Sequence, residues 1–460
     1  MKISFVLFMI TAAVLPLMAD TDTEIIIDCA KNKGKVKLLS GFVHGVTFDP
    51  KKDYTREIQL LYATKPAYWS MAAFNNNVHD FVIKGGFQKN LGTKMQYNLQ
   101  AAFNMQWGFP IILNTPEQPC RNKSRKDRSC FNTFADLTNA FTQVVEKDLS
   151  EVAGIGLRFD YFEILAEPNW GWVNVSDDQK LELFRIGYDA VQRHFPKAKV
   201  LGPNYGFYDK AYFTKFIKYC ADMDIRLGGF SWHNLEGEDD EPDIHRIPKK
   251  AAEIRQLMED NGLRKERSPE LHMNEYSFRY HLIPGWEAGY LYYMEEAGID
   301  YIAKACWEMK VGFRQRSTCW DGFNGMFDFD SAVPTARYWV NRYYADMDGG
   351  LRLITKKISE ERRTVALASR HDDKNEIRVL IGAYSPKTER QNVMVSLENF
   401  PYAGKPVQID IYMIPNNKNR TVPVPQCESR TLKDVKADGD KRISFSLPAS
   451  YGEAYYAQVK

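Results

Sequence analysis

The strongest constraint in this sequence is an alternation. From about residue 40 to residue 345, short apolar segments of strand character take turns with longer segments whose apolar residues recur at helical spacing. The strand segments fall at 41–46, 67–72, 109–113, 159–165, 199–202, 228–232, 270–274 and 301–307. Parallel neighbours need a long crossover between them, so repeated strand-then-helix units imply a parallel sheet covered by helices. Eight units predict closure into a (β/α)₈ TIM barrel. Neither a G-x-G-x-x-G turn nor a P-loop is present to support an open nucleotide-binding sheet.

The helical segments carry their own punctuation. Thr133 with Asp136 resembles a capping box, followed by Phe134, Leu137, Phe141 and Val144. Ser176 with Gln179 is a second box, ahead of Leu181, Phe184, Tyr188 and Val191. The helix through Ala251, Ile254 and Leu257 is predicted to stop at Gly262, a residue suited to the left-handed position after a helix.

Beyond about residue 350 the pattern changes. Segments at 365–369, 377–383, 392–397, 407–413, 442–447 and 454–459 read as strands separated by turn residues. This is the pattern of a C-terminal β-sandwich. The segment Thr-Glu-Ile-Ile-Ile-Asp-Cys at 23–29 is also strand-like and is expected to join the sandwich rather than the barrel. The resulting division is a leader over 1–19, an N-terminal strand segment over 20–40, a barrel over 41–348 and a sandwich over 349–460.

The first nineteen residues have the form of a secretory signal. Lys2 supplies the charge, an apolar run extends from Ile3 to Leu17, and Ala19 offers a small residue for cleavage. The run is shorter than the ~20 apolar residues of a span, so a secreted or periplasmic protein with no membrane span in the mature chain is expected. A formal net charge of +2 provides no basic field for nucleic acid. Seven cysteines show no metal-binding spacing, so neither metal nor cofactor is expected. Cys120 and Cys130 bracket a loop carrying Arg121, Lys123, Arg125, Lys126 and Arg128, and are predicted to pair in an oxidising compartment. Cys220 and Cys306 sit among apolar residues and are expected to pack as small hydrophobes. The run Glu236-Gly237-Glu238-Asp239-Asp240-Glu241 lacks the frame of a calcium loop and reads as solvated.

Barrel enzymes hold their reacting groups at the C-terminal ends of the strands. Two glutamates stand at such ends, Glu167 after the fourth strand segment and Glu275 after the seventh. Paired carboxyls suit glycosidic cleavage: one donates a proton to the leaving oxygen and the other attacks the anomeric carbon. The Glu167-Pro168-Asn169 and Asn274-Glu275 motifs resemble those of clan A retaining glycoside hydrolases, with family 39, the β-xylosidases and α-L-iduronidases, nearest. Gly41-Phe42-Val43-His44-Gly45, Gly202-Pro203-Asn204, Phe230-Ser231-Trp232-His233 and Val333-Pro334-Thr335-Ala336-Arg337-Tyr338-Trp339 extend the resemblance over nearly the whole mature chain.

The resemblance implies Glu167 as acid/base and Glu275 as nucleophile. Clan A enzymes usually carry Asn before the acid/base, where it bonds the sugar 2-hydroxyl, but this chain has Ala166. His44, Trp69, Asn204, His233, Tyr276 and Trp307 lie near strand ends and are candidate carbohydrate-binding residues, by stacking or hydrogen bonding. The sequence thus predicts a secreted glycoside hydrolase acting by double displacement. A catalytically silent carbohydrate-binding or adhesion protein and a transglycosylase are the alternatives.

Overall fold

A computed structural model describes residues 23–43, 51–72, 95–100, 111–117, 119, 129–154, 159–235, 243–263, 269–277, 282–305, 322–328, 331–359, 363–385, 390–418 and 420–460. In chain order the strands through the barrel region are β1 (Thr23–Lys35), β2 (Gly41–Val43), β3 (Tyr68–Ala72), β4 (Gln96–Gln100), β5 (Ile111–Leu113), β6 (Ser129–Phe131), β7 (Tyr161–Glu163), β8 (Trp172–Val173), β9 (Lys199–Tyr205), β10 (Leu227–Asn234), β11 (Glu270–Tyr276) and β12 (Tyr301–Lys304). Eight of them, β2, β3, β4, β7, β9, β10, β11 and β12, close into a parallel barrel in sequence order. The helices of the described residues are α1 (Thr55–Ala63), α2 (Phe134–Gly154), α3 (Asp177–His194), α4 (Lys210–Asp222), α5 (Ile247–Asp260), α6 (Pro284–Ala297) and α7 (Ala336–Asp346).

One predicted barrel strand is corrected. Ile111–Leu113 lies outside the barrel, between β6 and β8 in a small three-stranded sheet. The third barrel strand is instead Gln96–Gln100, Gln-Tyr-Asn-Leu-Gln, which lacks an apolar run. Its polar residues point into the barrel, where other polar groups receive them, so a search for apolar strands passes over it.

The helix signals have direct structural counterparts. Ser176 and Gln179 form a reciprocal capping box at the start of α3. The Thr133 hydroxyl accepts from the Asp136 amide while Asp136 accepts from the Thr133 amide. Gly262 adopts φ 75° just past Asn261, the residue that caps the end of α5. Cys220 is a buried free thiol in α4. The leader, the Arg121–Arg128 cluster, the acidic loop 236–241, His44, Cys120, Cys306 and Trp307 lie outside the described residues. Cys130 is disulfide-bonded.

The remaining strands are β13 (Leu351–Lys357), β14 (Thr364–His371), β15 (Glu376–Ala383), β16 (Arg390–Glu398), β17 (Val407–Ile414), β18 (Glu428–Val435), β19 (Ile443–Ser450) and β20 (Ala454–Val459). Together with β1 they make a nine-stranded sheet in the order β18-β17-β20-β15-β14-β13-β1-β16-β19, folded into the sandwich domain around its own apolar core. Within it β1 pairs antiparallel with β13 and parallel with β16, so the first described strand is internal to the last domain. Helix α6 is buried along most of its length, as a helix wedged between barrel and sheet must be. Gly285 permits the contact: a Cβ there would lie 2.2 Å from the Ala383 carbonyl oxygen. Tyr343 of α7 stacks on Tyr456 of β20 at 4.4 Å between centroids and extends the same interface.

Candidate active site

Strand alternation sorts the barrel side chains. Tyr68, Tyr161 and Leu201 belong to the interior cluster, whereas Phe42, Trp69, Phe162 and Phe230 belong to the layer between strands and helices. Near the N-terminal end the interior is closed by aromatic rings. The Tyr161 and His272 centroids are 4.7 Å apart, His272 and Tyr301 5.0 Å, and Tyr68 and His272 5.4 Å. Filling by successive layers is the general construction of such barrels.

Above these rings lies a polar layer centred on Glu163, the last residue of β7. Asn204 of β9 donates to Glu163 Oε1. Asn274 of β11 and Asn98 of β4 both donate to Oε2, the latter at 3.2 Å. The Tyr68 hydroxyl donates to Asn274 Oδ1 at 3.1 Å, and Asn98 also donates to the Ser70 hydroxyl at 2.9 Å. Burial pushes the Glu163 carboxyl up to about 8; the Asn98 and Asn274 donors oppose that shift and the Glu167 charge adds to it.

Two irregularities aim the next layer. In β11, Met273 pairs with Trp232 but Glu275 pairs with His233, so Asn274 is an extra residue in the register. In β9, Pro203 pairs with Ser231 but Tyr205 with Trp232, which makes Asn204 extra in the same way. Bulges re-aim side chains that alternation would send to opposite faces. Here they let Asn274 and Glu275 both point inward, and they present Asn204 to the centre. Asn204 (φ 53°) and Glu167 (φ 44°) occupy the left-handed region, and the Glu167 amide donates to the Asn204 carbonyl at 3.0 Å. A non-glycine residue held there costs roughly 1–2 kcal/mol, and such cost is commonly met at functional sites.

The uppermost group is Glu167, His233 and Glu275, all buried. His233 Nδ1 lies 2.9 Å from Glu167 Oε1 and 3.7 Å from Glu275 Oε2, while its Nε2 lies 2.8 Å from Asn204 Oδ1. The facing atoms of the three side chains lie within 4.8 Å of one another. A zinc ion held tetrahedrally by three such atoms would space them at roughly 3.4 Å, from bond lengths near 2.1 Å. The 2.9 Å contact is shorter than that and fits a hydrogen bond. Burial pushes the Glu275 carboxyl well up, and the charges of Glu167 and Glu163 push it the same way. Two acids this close titrate as a pair, so the group retains a proton that lone surface acids would lose.

Of the residues singled out from sequence, Glu167, Glu275, Asn204 and His233 meet here. Trp69 does not: it packs outside the barrel against Phe42 at 5.0 Å and Phe323 at 5.6 Å, because the inward positions of β3 are Tyr68 and Ser70. Tyr276 is also turned away. Its hydroxyl donates to Glu287 of α6 at 3.2 Å, one position past the inward Glu275. Sequence reasoning missed Glu163 and Asn98, and read Asn274 only as the motif neighbour of Glu275. The usable signal was a carboxylate or amide in mid-strand, in a sheet whose two faces are both covered. Trp170, 53% exposed beside Phe207, offers an aromatic face three residues past Glu167.

No protein-family model and no curated relative matches the sequence. Solved structures do match the fold along nearly the full chain. N2152 from Neocallimastix frontalis superposes with a TM-score of 0.71 at 15% identity, covering 96% of this chain and 100% of that one. A family 39 glycoside hydrolase from Xanthomonas axonopodis pv. citri gives 0.60 at 11% identity, covering 97% and 100%. The family 51 arabinofuranosidase from the same organism gives 0.61 at 12%, covering 95% and 100%. The barrel with its appended sandwich is therefore the fold shared by glycoside hydrolases of families 39 and 51.

Proposed function

We propose that this protein is a retaining glycoside hydrolase with Glu275 as nucleophile and Glu167 as general acid/base. One observation carries the reading: Glu167 and Glu275 present carboxyl oxygens within 4.8 Å of each other at the C-terminal ends of the strands. Retaining enzymes hold their carboxyls ~5–5.5 Å apart, whereas inverting enzymes leave room for a water between them. Glu275 forms the bond to the anomeric carbon as Glu167 passes its proton to the departing oxygen. Esterification removes the Glu275 charge. Glu167, now ionised, takes a proton from water as that water displaces the sugar with a second inversion. Both steps use groups of this chain and water alone. Export of the chain, read from its N-terminal segment, is supported by the disulfide at Cys130.

The test uses a panel of aryl and oligosaccharide glycosides and two variants. Glu275→Gln is expected to abolish turnover of every substrate, because no glycosyl-enzyme can form. Glu167→Ala is expected to retain glycosylation by dinitrophenyl glycosides and then stall. Azide should restore turnover and give a glycosyl azide of retained configuration. An inverted first product from the wild type, followed by NMR, would reject the double displacement. Variants as active as the wild type would move the site elsewhere.

A further inference from the structure

We propose that Glu163 is a positioning residue. Acting through Asn204, its carboxyl fixes which nitrogen of His233 carries hydrogen and thereby directs the proton of the carboxyl pair onto Glu167. The part concerning the pair rests on the hydrolase reading above; the part concerning the imidazole does not.

The argument follows donors and acceptors outward from the barrel core. Where the Glu163 carboxyl is ionised, above about pH 8, one of its oxygens accepts from Asn204 Nδ2, so the other end of that amide, Oδ1, must face away from Glu163. It faces His233 Nε2 at 2.8 Å, and Asn274 Nδ2 approaches the same oxygen at 3.4 Å. An amide oxygen only accepts, so His233 Nε2 carries the hydrogen. In a neutral ring Nδ1 is then a bare lone pair. That lone pair stands 2.9 Å from Glu167 Oε1, and two acceptors make no hydrogen bond unless the acid supplies the proton. Glu275 Oε2, at 3.7 Å from Nδ1, is too far to compete for it. Against the upward push that burial gives Glu275, this hydrogen-bond geometry favours the shared proton on the residue that must donate it and leaves Glu275 ionised for attack.

The same counting makes a sharp variant available. Two amides, Asn98 and Asn274, donate to Glu163 Oε2, and Asn274 is itself held by the Tyr68 hydroxyl. Among the described residues only Asn204 donates to Oε1. A glutamine at 163 satisfies the larger number by placing its oxygen toward Asn98 and Asn274, which turns its NH₂ toward Asn204. The Asn204 amide must then rotate, offer NH₂ to His233 Nε2, and drive the ring hydrogen to Nδ1. Adding Asn204→Asp restores an acceptor on both sides and so restores hydrogen on Nε2.

The experiment is nitrogen NMR of the full chain labelled with ¹⁵N-histidine, with the His233 signals assigned by comparison with His233→Gln. Above about pH 8, where Glu163 is ionised, the wild type is expected to show a bare Nδ1 and a protonated Nε2, E163Q the reverse, and E163Q/N204D the wild-type pattern. On the hydrolase reading, E163Q should also lose about 100-fold in kcat on alkyl glycosides, whose leaving oxygen needs a proton, while retaining most activity on dinitrophenyl glycosides. A purely structural role would depress both substrates alike. Wild-type His233 with hydrogen on Nδ1, or on both nitrogens, overturns the proposal even if E163Q does not fold. So does an E163Q ring identical to the wild type. The expected tautomers in a wild type that cleaves no glycoside would uphold the relay and reject the hydrolase reading instead.

Discussion

At the residue scale, the packing around Glu167 leaves only tenths of an ångström to spare, and Gly206 shows how. A Cβ at this position would lie 3.3 Å from Glu167 Oε1 and 3.1 Å from the Asn169 amide nitrogen. The Gly206 amide meanwhile donates to Asn169 Oδ1 at 2.9 Å. Gly206→Ala should displace Glu167 slightly without opening a cavity, so turnover is expected to fall roughly 10-fold. The unfolding midpoint should barely move. Kinetics on an aryl glycoside and a thermal melt measure the two quantities, and an unchanged rate would show that the acid tolerates displacement. A second expectation concerns Trp170, whose exposed ring can stack on a sugar bound beyond the scissile bond. Trp170→Ala should raise KM on oligosaccharides several-fold and leave short aryl glycosides unaffected. Sequence motifs exposed the two glutamates because their neighbours at strand ends are distinctive. Trp69 and Tyr276 misled, because which face a residue takes depends on strand parity and bulges, and neither is written in its own identity.

At the element scale, the outward face of the barrel holds a buried charge cluster that ties β12 to α6 and α7. Lys304 Nζ lies 2.9 Å from Glu287 Oε2, Arg337 Nε lies 3.3 Å from Glu287 Oε1, and Asn341 donates to that oxygen at 3.0 Å. Burial raises the Glu287 carboxyl, but the Lys304 and Arg337 charges outweigh it and hold the group at about 2. A carboxyl depressed on folding stabilises the native state above its unfolded value. That contribution is lost as pH falls from about 4.5 toward about 2. Glu287→Gln leaves two buried cations without their anion and is expected to destabilise the protein by about 3–5 kcal/mol in urea denaturation. The variant should also show a flatter acid limb than the wild type over that pH range. An unchanged midpoint at neutral pH would mean the cluster contributes nothing net. Helix starts and stops were legible because caps are local in sequence. β4 and β18 were not: one buries amides and the other is largely exposed, so neither carries the apolar alternation by which strands are recognised.

At the scale of the whole molecule, the two domains share more than a surface. Gly285 and Gly382 bring backbone against backbone, Trp286 meets Tyr384 at 5.0 Å, and Tyr343 stacks on Tyr456. Truncation after Asp348 would expose this interface and leave β1, with its buried isoleucines, stripped of both neighbours. The expected product is aggregated protein. A soluble, active truncation, judged by size-exclusion chromatography and turnover, would show the sheet to be dispensable. The alternation of strand and helix announced the barrel and the later turn-rich stretch announced the sandwich, since both follow from local periodicity. The joining of the domains through α6 was not legible, because it depends on glycines whose contacts are remote in sequence.

The place of β1 has a consequence for how the protein comes into being. Ile26 pairs with Lys357 and Glu24 with Met394, so β1 must wait for partners synthesised 331 and 370 residues later. At ordinary elongation rates of 5–20 residues per second that wait is about 15–70 s. The intervening barrel can collapse sooner, but its N-terminal flank remains an unpaired apolar ribbon throughout. A ribosome stalled before β16 is made thus holds a chain whose β1 edge is open and can be captured by neighbouring nascent chains.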